Sequence, residues 1–252
     1  MTYPKISIIV ATYNIGKTLE GAIRSVLYQT YPNIELIVVD GGSTDDTMTI
    51  VNNYKKDFGD NMICVSEKDK GIYDAWNKGI QLATGEWITF LGGDDYLVQD
   101  YGMNYYSVLS EKPELNFISA INLLVTENDY PIRYYGQPIT KRFGTYCTIA
   151  HVGSLHHRSL FDKYGLFDIR FQIAGDYDFL LRARQDIVSF FLPKLSAIVR
   201  DGGVSNSKIV SVFKEQMNAK LANKARNASL CRYDFMIAYL KYRIRKVIMV
   251  LR

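Results

Sequence analysis

Short apolar runs alternate with segments of helical periodicity through the first hundred residues, and this alternation constrains the fold more than any other feature. The runs occupy residues 6–10, 35–39, 62–65 and 87–91 and are rich in β-branched side chains, as buried parallel strands are. Between them, apolar residues recur three or four positions apart, which predicts one buried face per helix. We therefore predict an α/β fold, a mostly parallel sheet with helices on both faces.

The stretch from Ser66 to Leu97 combines a predicted helix, a predicted strand and two adjacent carboxylates. The helix face would consist of Ile72, Trp76, Ile80 and Ala83, with Gly85 able to end the helix. The strand is followed by Gly92-Gly93-Asp94-Asp95, at the position where open α/β sheets bind ligands. Carboxylates there suit Mg²⁺ or Mn²⁺, although the tetrapeptide taken alone is more typical of a polar turn.

Polar side chains follow three of the predicted strands, and the fold should bring them to one edge of the sheet. Thr12, Tyr13 and Asn14 follow the first strand, Asp40 the second, and Asp94 and Asp95 the fourth. This edge predicts a nucleotide site in which Asp40 contacts the base, Asp94 the ribose and Asp95 a metal. The phosphate-binding glycine motifs of kinases and dehydrogenases are missing, which argues against both classes.

Composition excludes several other classes. The net charge of +4 gives no reason to expect nucleic acid as a partner. Three widely separated cysteines argue against a disulfide framework or a zinc site and favour a reducing compartment. No apolar run reaches the roughly 18 residues of a membrane-spanning helix, and the N-terminal run is too short for a signal peptide. We therefore expect a cytoplasmic protein.

Five ordered segments resemble the family 2 glycosyltransferases, which have the GT-A fold and use nucleotide-sugar donors. They read SIIVATYN, ELIVVDGGSTDDT, EKDKGIYDAWNKGI, ATGEWITFLGGDD and AGDYDFLLR, and they span roughly residues 4–205. The resemblance implies that Thr12, Tyr13 and Asn14 line the nucleotide pocket with Asp40 on the base. It also implies that Asp94 and Asp95 form the D-x-D-type motif, with Mg²⁺ or Mn²⁺ as cofactor. Gly92 departs from the acidic or Asn residue of many members.

The segment Ala174–Arg182 holds the candidate catalytic base. Arg182 follows Asp178 by four residues and can pair with it along a helix, which leaves Asp176 as the freer carboxylate. In the family the motif is usually Glu-Asp, and the resemblance implies that Asp176 is the base while Gly175 replaces the Glu. On spacing alone, Asp176 is more typical of a helix N-cap.

Other residues have weaker predicted roles. Lys70 could pair with the donor diphosphate, or belong to a solvated charge run. Asp74 and His151 are candidate acceptor contacts, whereas His151 and His156 make a poor zinc site. The stretch Gly202–Ser205 is predicted to form a loop over the site.

We predict a catalytic domain over residues 1–205, with a donor half at 1–100 and an acceptor half at 101–205. Residues 206–252 would form a helical extension. Its last part, residues 235–252, is a basic amphipathic helix that could lie on an anionic membrane. Docking on a second subunit, as in a homodimer, or on its own domain remains open.

Taken together, the resemblance implies a metal-dependent inverting glycosyltransferase of bacterial capsule, exopolysaccharide or lipopolysaccharide assembly. The donor would be a nucleotide-sugar, most often a UDP-sugar in such enzymes, and the acceptor a hydroxyl of a glycan or polyprenyl-linked molecule. One alternative is a nucleotidyltransferase, which normally has a basic loop after its first strand. The other is an inactive sugar-binding or assembly protein, against which the presence of Asp40, Asp94, Asp95 and Asp176 argues.

Overall fold

The computed structural model of the chain describes residues 3–203 and 208–250, with side chains described as far as residue 244. In chain order the elements are β1 (Ile6–Thr12), α1 (Gly16–Leu27), β2 (Ile34–Asp40), α2 (Thr47–Phe58), β3 (Met62–Ser66), α3 (Ile72–Leu82), β4 (Trp87–Gly92), β5 (Tyr96–Leu97), α4 (Tyr101–Leu109), β6 (Phe117–Val125), β7 (Pro131–Tyr135), β8 (Leu155–His157), α5 (Arg158–Tyr164), α6 (Gly175–Ala183), β9 (Ser189–Arg200), α7 (Ile209–Ala222) and α8 (Ala228–Val250). The four strands and three helices predicted in the first hundred residues are all present.

The strands of the described residues form one mixed sheet in the order β3-β2-β1-β4-β8-β6-β9-β5, with β7 paired to β6. The first four strands in that order are parallel to one another. Beyond them, β8 runs antiparallel to both β4 and β6, whereas β6 and β9 are parallel. The predicted parallel sheet is therefore confirmed for the donor half, and antiparallel strands extend it in the second half.

Successive side chains of the central strands point to opposite faces of the sheet, so the core is divided into two clusters. Ile8 and Val10 point to one face, where they pack in a cluster with α1, α2 and α4. Ile9 and Val39 point to the other face, in a second cluster with α3, α5 and α6. Because both faces are covered, most positions of these strands are apolar, which explains the continuous apolar runs in the sequence.

A buried carboxylate, which the sequence analysis did not identify, ties β1, β2 and the turn before β4 together. Glu35 is 2% exposed. It accepts hydrogen bonds from Ser7 Oγ at 2.5 Å and from the backbone N–H of Thr84 at 2.6 Å, and Lys5 Nζ lies 2.7 Å away. Burial alone would raise the pKa of Glu35, but these bonds outweigh it and lower the pKa to about 2. The carboxylate therefore stabilises the fold above its unfolded pKa, and this contribution is lost only in strong acid.

The same contact corrects the predicted role of Gly85. Helix α3 already ends at Leu82. Gly85 does not cap this helix and lies against β1. A Cβ at this position would come within 2.7 Å of the Lys5 carbonyl oxygen and 2.8 Å of the Ser7 nitrogen. Glycine is required there because two backbone segments approach too closely for a side chain.

The late strands also differ from prediction. The apolar residues at 187–192 and 195–199 predict two short strands, but β9 runs continuously from Ser189 to Arg200. Its pairing with β6 skips Pro193 and Lys194, since Leu192 and Leu195 face consecutive residues of β6. Proline has no N–H to donate to the ladder, so the sequence break marks a bulge in one strand.

The C-terminal region is helical as predicted, and it docks on its own domain through α7. Lys220 is buried, with its Nζ 3.0 Å from Asp234 Oδ2 of α8. Asn223 donates to Asp178 of α6 at 2.7 Å, so the extension is joined to the part of the chain that precedes it. The predicted boundary at 205/206 and the end of the predicted loop at Val204 and Ser205 lie outside the described residues, and the proposed domain division stays a prediction.

Across residues 3–203 and 208–250, no helix has both the length and the apolar character needed to cross a bilayer.

Candidate functional site

The carboxyl ends of β1, β2 and β4 form the centre of the candidate site. In the strand register Thr12 lies beside Asp40, and Ala11 lies beside Gly92. Thr12 Oγ1 donates to Asp40 Oδ1 at 3.1 Å. The sheet therefore brings the three polar strand ends to one edge, as parallel strands require.

Asp40 is fully buried at this edge, and both of its oxygens accept hydrogen bonds from the protein. The donors are the hydroxyls of Thr12, Ser43 and Ser66 and the backbone N–H groups of Gly42 and Ser43. Burial would raise the pKa of Asp40, but these donors lower it below its usual range. Here the carboxylate organises the loop after β2, and its predicted contact with the base remains a prediction.

Tyr13 and Asn14 share the loop after β1 but face different surroundings. The Asn14 backbone is in the left-handed region, with φ of 50°. Its side-chain oxygen accepts from the Thr44 N–H at 2.8 Å, and its own N–H donates to Ser43 Oγ at 2.8 Å. Asn14 therefore joins the loops after β1 and β2, whereas the Tyr13 ring is 66% exposed and available to a flat ligand.

The carboxylates of Asp94 and Asp95 converge over Gly92. A Cβ placed on Gly92 would lie 2.5 Å from Asp95 Oδ2 and 3.0 Å from Asp94 Oδ1. A side chain at residue 92 would thus occupy the space between the two carboxylates. Asp95 Oδ1 accepts the backbone N–H of Arg200 at 3.0 Å, which fixes the orientation of this carboxylate.

The local electrostatics favour a cation between these carboxylates. Burial, and after it the charge of Asp94, raises the pKa of Asp95 to about 7. Burial also raises the pKa of Asp94. The nearby Arg200 guanidinium is engaged with Asp129 at 2.9 Å. Two closely spaced, partly desolvated carboxylates repel each other, and a divalent cation would relieve that repulsion.

The donor set at this point fits Mg²⁺ or Mn²⁺ carried with a diphosphate. No group of three or more His, Cys, Asp or Glu side chains within the described part of the chain could hold a metal ion. Mg²⁺ needs fewer, because it binds through one or two carboxylates together with substrate phosphates and water. Asp94 and Asp95, which a Cβ at Gly92 would separate, supply those two carboxylates.

The charged loop between β3 and α3 lies at the same sheet edge. The Lys70 side chain is exposed, and its backbone N–H donates to Asp74 Oδ2 at 3.0 Å. Asp74 therefore binds the loop that precedes its own helix, and its predicted acceptor contact gains no support from this geometry. Lys78 pairs with Glu67 at 2.8 Å and holds the loop to the helix.

Asp176 lies in the first turn of α6, in a second polar cluster that sequence reasoning did not assemble. Tyr73 Oη lies 3.1 Å from Asp176 Oδ1 and 2.8 Å from the Ile173 carbonyl oxygen. A Cβ on Gly175 would lie 2.8 Å from the Tyr73 ring. The glycine that replaces the family's Glu thus makes room for the tyrosine that contacts Asp176.

Glu215 of α7 secures the loop that leads into this helix. Its carboxylate accepts the backbone N–H groups of Gln172, Ile173 and Ala174 at 3.1, 2.8 and 3.0 Å. The C-terminal extension therefore reaches back to the segment that carries Asp176. No sequence signal identified Tyr73 or Glu215, because they lie 103 and 39 residues from Asp176 along the chain.

The environment of Asp176 suits a proton acceptor. Burial raises its pKa, and the hydrogen bonds from Tyr177 and Tyr73 only partly oppose that effect. The pKa of Tyr73 is raised well above its usual range by burial and by the charge of Asp176, so the hydroxyl stays protonated. The predicted pair of Asp178 with Arg182 is present at 3.2 Å, so the two carboxylates of this turn have different partners.

His151 lies in the core, behind the candidate site. It is 9% exposed, and its ring stacks against both Trp76 and Phe90 at centroid distances of 5.3 and 5.4 Å. The ring of His156 lies 5.0 Å away and is fully buried. Neither ring nitrogen of either histidine has a hydrogen-bond partner within the described residues. This burial argues against the predicted acceptor contact of His151.

Comparison with known proteins adds a family and several relatives. The sequence model described as "Glycosyl transferase family 2" matches residues 7–111. A "PGL/p-HBAD biosynthesis glycosyltransferase" of Mycobacterium bovis (strain BCG / Pasteur 1173P2) is 30% identical over 220 residues, which is 86% of this chain and 85% of the relative. The "UDP-Glc:alpha-D-GlcNAc-diphosphoundecaprenol beta-1,3-glucosyltransferase WfaP" of Escherichia coli is 33% identical over 181 residues, covering 70% and 68%.

Solved structures share the fold at lower identity. Residues 1–349 of S. aureus TarS in complex with UDP-GlcNAc superpose with a TM-score of 0.65 at 19% identity, covering 92% of this chain and 70% of that one. The mannosyltransferase PcManGT from Pyrobaculum calidifontis, in complex with GDP-Man and Mn²⁺, gives a TM-score of 0.66 at 17% identity and covers 95% and 74%. At these identities the likeness shows a common architecture.

Proposed function

The chain belongs to glycosyl transferase family 2 and has the GT-A fold, and on that premise we propose an inverting, metal-dependent transfer of a sugar to an acceptor hydroxyl. The donor class is a nucleotide-sugar. The observation that carries the proposal is the convergence of Asp94 and Asp95 over Gly92 at the edge of the parallel strands. A diphosphate leaving group needs a counter-charge at such a point, and two carboxylates can hold one through a divalent cation.

Each residue of the donor half has a proposed part in binding. Thr12, Tyr13 and Asn14 would line the nucleoside pocket, Asp40 would support its loop, and Asp94 would accept from the ribose. Lys70 would pair with the diphosphate as a point charge. Asp95, with Asp94, would hold Mg²⁺ or Mn²⁺. When bound, the metal ion supplies charge stabilisation to the departing nucleoside diphosphate.

The proposed reaction is a single displacement at the anomeric carbon. The acceptor oxygen forms a bond to that carbon as the bond to the diphosphate oxygen breaks, and Asp176 takes the proton of the acceptor hydroxyl. One displacement inverts the anomeric configuration. A second carboxylate nucleophile, which a retaining double displacement requires, has no place in this scheme.

Cell-surface polysaccharide synthesis is the proposed setting, with a glycan or a polyprenyl-linked molecule as acceptor. Its support is the name of the E. coli relative, a glucosyltransferase acting on a diphosphoundecaprenol-linked sugar, together with that of the mycobacterial relative in PGL biosynthesis. We propose that residues 1–205 catalyse the transfer and that residues 206–252 support the site and its acceptor.

Metal-dependent donor binding tests the function. At about 100 times its Kd, a donor nucleotide with Mn²⁺ should stabilise the protein by about 2.7 kcal/mol, which raises Tm by roughly 5–10 °C in a chain of this size. Asp95→Asn should abolish the metal-dependent part of the shift, whereas Asp57→Asn, an exposed carboxylate on α2, should leave it unchanged. Slow release of free sugar from the donor would separate an enzyme from a sugar-binding protein. Absence of any shift with every nucleotide-sugar would contradict the proposal.

A lipid-linked acceptor gives α8 a proposed role at the membrane surface. One side of the described part of this helix exposes apolar residues three or four positions apart, namely Leu230, Tyr233, Met236, Leu240 and Ile244. Exposed cations accompany them at Arg232, Lys241 and Arg243, and the acidic Asp234 is buried in its pair with Lys220. The exposed charge on this helix is therefore positive, which is complementary to an anionic membrane.

Vesicle sedimentation tests this contact. The protein should bind vesicles containing phosphatidylglycerol more tightly than pure phosphatidylcholine, and less tightly at high salt. Replacing Leu240 and Ile244 together by glutamine should weaken binding about tenfold or more, because each buried apolar side chain contributes roughly 1.5–3 kcal/mol. Ile132→Gln, equally exposed on β7, is the matched control. Self-association without vesicle binding would favour a homodimer instead.

A further inference from the structure

A cavity of about 260 Å³ lies between the two C-terminal helices, and none of the strand-end residues of the candidate site lines it. Its wall comes from α7, α8 and the loop between β7 and β8, and it includes Tyr146, Phe213, Ile237, Ala238, Lys241 and Tyr242. The rings of Phe213 and Tyr242 meet edge to face, with their centroids 6.5 Å apart. Cavities that enclose a whole drug-sized ligand measure about 300–1,000 Å³, so this one fits one segment of a longer molecule.

Three of the lining residues carry polar groups that have no partner in the protein. Lys241 is exposed, and no carboxylate pairs with its ammonium group within residues 3–203 and 208–244. In that same part of the chain, the hydroxyl groups of Tyr146 and Tyr242 make no hydrogen bond. A mostly apolar wall with a few free polar groups is the usual composition of a ligand site. Since the charged group is a cation, the ligand it suits carries an anionic group.

The loop that contains Tyr146 connects the cavity to the turn of α6 that carries Asp176. Tyr177, the residue after Asp176, donates its hydroxyl to the Phe143 carbonyl oxygen of this loop at 2.6 Å. Cys147 follows Tyr146 directly, and burial, and after it the charge of Asp176, raises the pKa of its thiol. This part of the cavity wall therefore adjoins the proposed base.

Helix α7 makes a second connection to the same turn. Phe213 of the cavity wall precedes Glu215 by two positions on this helix. The Glu215 carboxylate accepts the backbone N–H groups of residues 172–174, which lead into α6. Two independent contacts thus place the cavity beside the segment that carries Asp176, on the side of the C-terminal extension.

Along α8, the cavity is continuous with the exposed apolar side of the helix. Ile237 lines the cavity and is four positions after Tyr233 and three before Leu240, both of which are exposed. Residues three or four positions apart lie on the same side of a helix. An apolar chain that left the cavity past Ile237 would therefore run onto the surface that we propose for membrane contact.

We propose that this cavity binds the first part of the acceptor's prenyl chain, with Lys241 paired to the phosphate at the head of that chain. Phe213, Ala238 and Tyr242 would pack against the chain, and the tyrosine hydroxyls can donate to phosphate oxygens. The phosphate joins the chain to the acceptor sugar, whose hydroxyl has to reach Asp176, so this end of the chain must lie near α6. The inference rests on the proposed function and extends it to the site of the lipid.

Calorimetric titration with farnesyl phosphate tests the site in the absence of donor, metal, detergent and vesicles, below the concentration at which the probe forms micelles. Farnesyl phosphate should bind the wild-type protein at least tenfold more tightly than farnesol or inorganic phosphate, because each of these supplies only one of the two contacts. Dodecyl phosphate has the same main-chain length without the methyl branches. It should bind several-fold more weakly, since each buried methyl group adds to affinity.

Variants of the wall locate the bound molecule. Ala238→Phe should fill the cavity and weaken farnesyl phosphate binding about tenfold or more. Lys241→Gln should weaken it about fivefold, as expected for an exposed ion pair, and reduce its salt dependence. Lys214→Gln, an exposed lysine of α7 outside the wall, is the matched control and should leave binding unchanged. Melting temperatures of all variants control for folding.

The outcomes separate this inference from the proposed function. Equal binding of farnesyl phosphate by the wild-type protein, Ala238→Phe and Lys241→Gln would overturn the site. Binding of farnesol or dodecyl phosphate as tightly as farnesyl phosphate would overturn the prenyl phosphate as its ligand. Failure of farnesyl phosphate to bind, with metal-dependent nucleotide binding retained, would overturn the inference alone. Failure of every nucleotide-sugar to bind would overturn the proposed function and, with it, the acceptor role of the cavity.

Discussion

Asp176→Asn should lower kcat for glycosyl transfer by about 10²–10⁴-fold, the range that a positioned general base contributes. Donor affinity should remain within about twofold of the wild-type value, because Asp176 belongs to the cluster on α6 and makes no hydrogen bond with the β1, β2 or β4 strand ends in the described structure. Asparagine keeps the shape and can still accept from Tyr73, so the fold should be preserved. Single-turnover kinetics with saturating donor measures the chemical step.

Substitutions of Asp178 and Tyr73, two residues close to Asp176, provide control variants for this prediction. Asp178→Asn alters a carboxylate in the same turn that is paired with Arg182 and Asn223; we expect a loss of stability with kcat largely retained. Tyr73→Phe removes the hydrogen bond that favours the ionised form of Asp176, so the pKa of Asp176 should rise further. The acid limb of the kcat profile should then move to higher pH. Normal transfer by Asp176→Asn with intact donor binding would show that another group takes the proton.

Glu215→Gln tests whether the C-terminal extension positions this base. The carboxylate holds three successive backbone N–H groups before α6, and a neutral amide would hold them less strongly. A fall in kcat with little change in donor affinity is the expected sign of a positioning residue, as distinct from a residue that binds the donor.

The fold was predictable from the sequence largely because its signals are local. Continuous apolar runs mark β1, β2 and β4, and their order with the intervening helices implies a parallel sheet and a ligand edge. The GT-A prediction, which rested on five ordered motifs, is confirmed. The sequence predicts two short strands where the structure has only β9, because Pro193 interrupts the run of apolar residues. Only the pairing with β6 shows that the strand continues through a bulge at this point.

The site was predictable only where function and local pattern coincide. Asp94 and Asp95 are adjacent in sequence, so their proximity needed no structure. The hydrogen-bond partners of Glu35, Tyr73 and Glu215 lie 28 to 103 residues away along the chain. The residues that flank them in the sequence give no indication of these contacts. The catalytic, metal and acceptor assignments themselves stay predictions.

The buried histidine pair should make the protein sensitive to mild acid. Burial lowers the pKa of His151 to about 3 and holds the pKa of His156 well below its usual range, so both rings are neutral in the folded protein. In the unfolded chain each has a pKa near 6.5. Their contribution to stability is therefore complete above that value and is lost as the pH falls toward the folded pKa, by about 1.4 kcal/mol per pH unit for each ring.

A matched variant isolates this effect from the carboxylates. Asp95, with its raised pKa, acts with the opposite sign over the same pH range, so the absolute stability curve mixes several groups. The difference between His156→Leu and the wild-type protein cancels those shared contributions. Replacing a ring whose nitrogens lack partners by an apolar side chain should cost little at pH 7. Below pH 6 the variant should gain about 1.4 kcal/mol per unit relative to wild type.

Urea unfolding between pH 7 and pH 4.5 measures that difference. His157→Gln is the control for replacing a histidine outside the buried pair, because this third histidine is partly exposed beside Glu86. Combining His156→Leu with His151→Phe should double the effect to about 2.7 kcal/mol per unit. Parallel curves for His156→Leu and the wild-type protein would contradict the prediction, since they would mean that His156 binds its proton equally well in the folded and unfolded states.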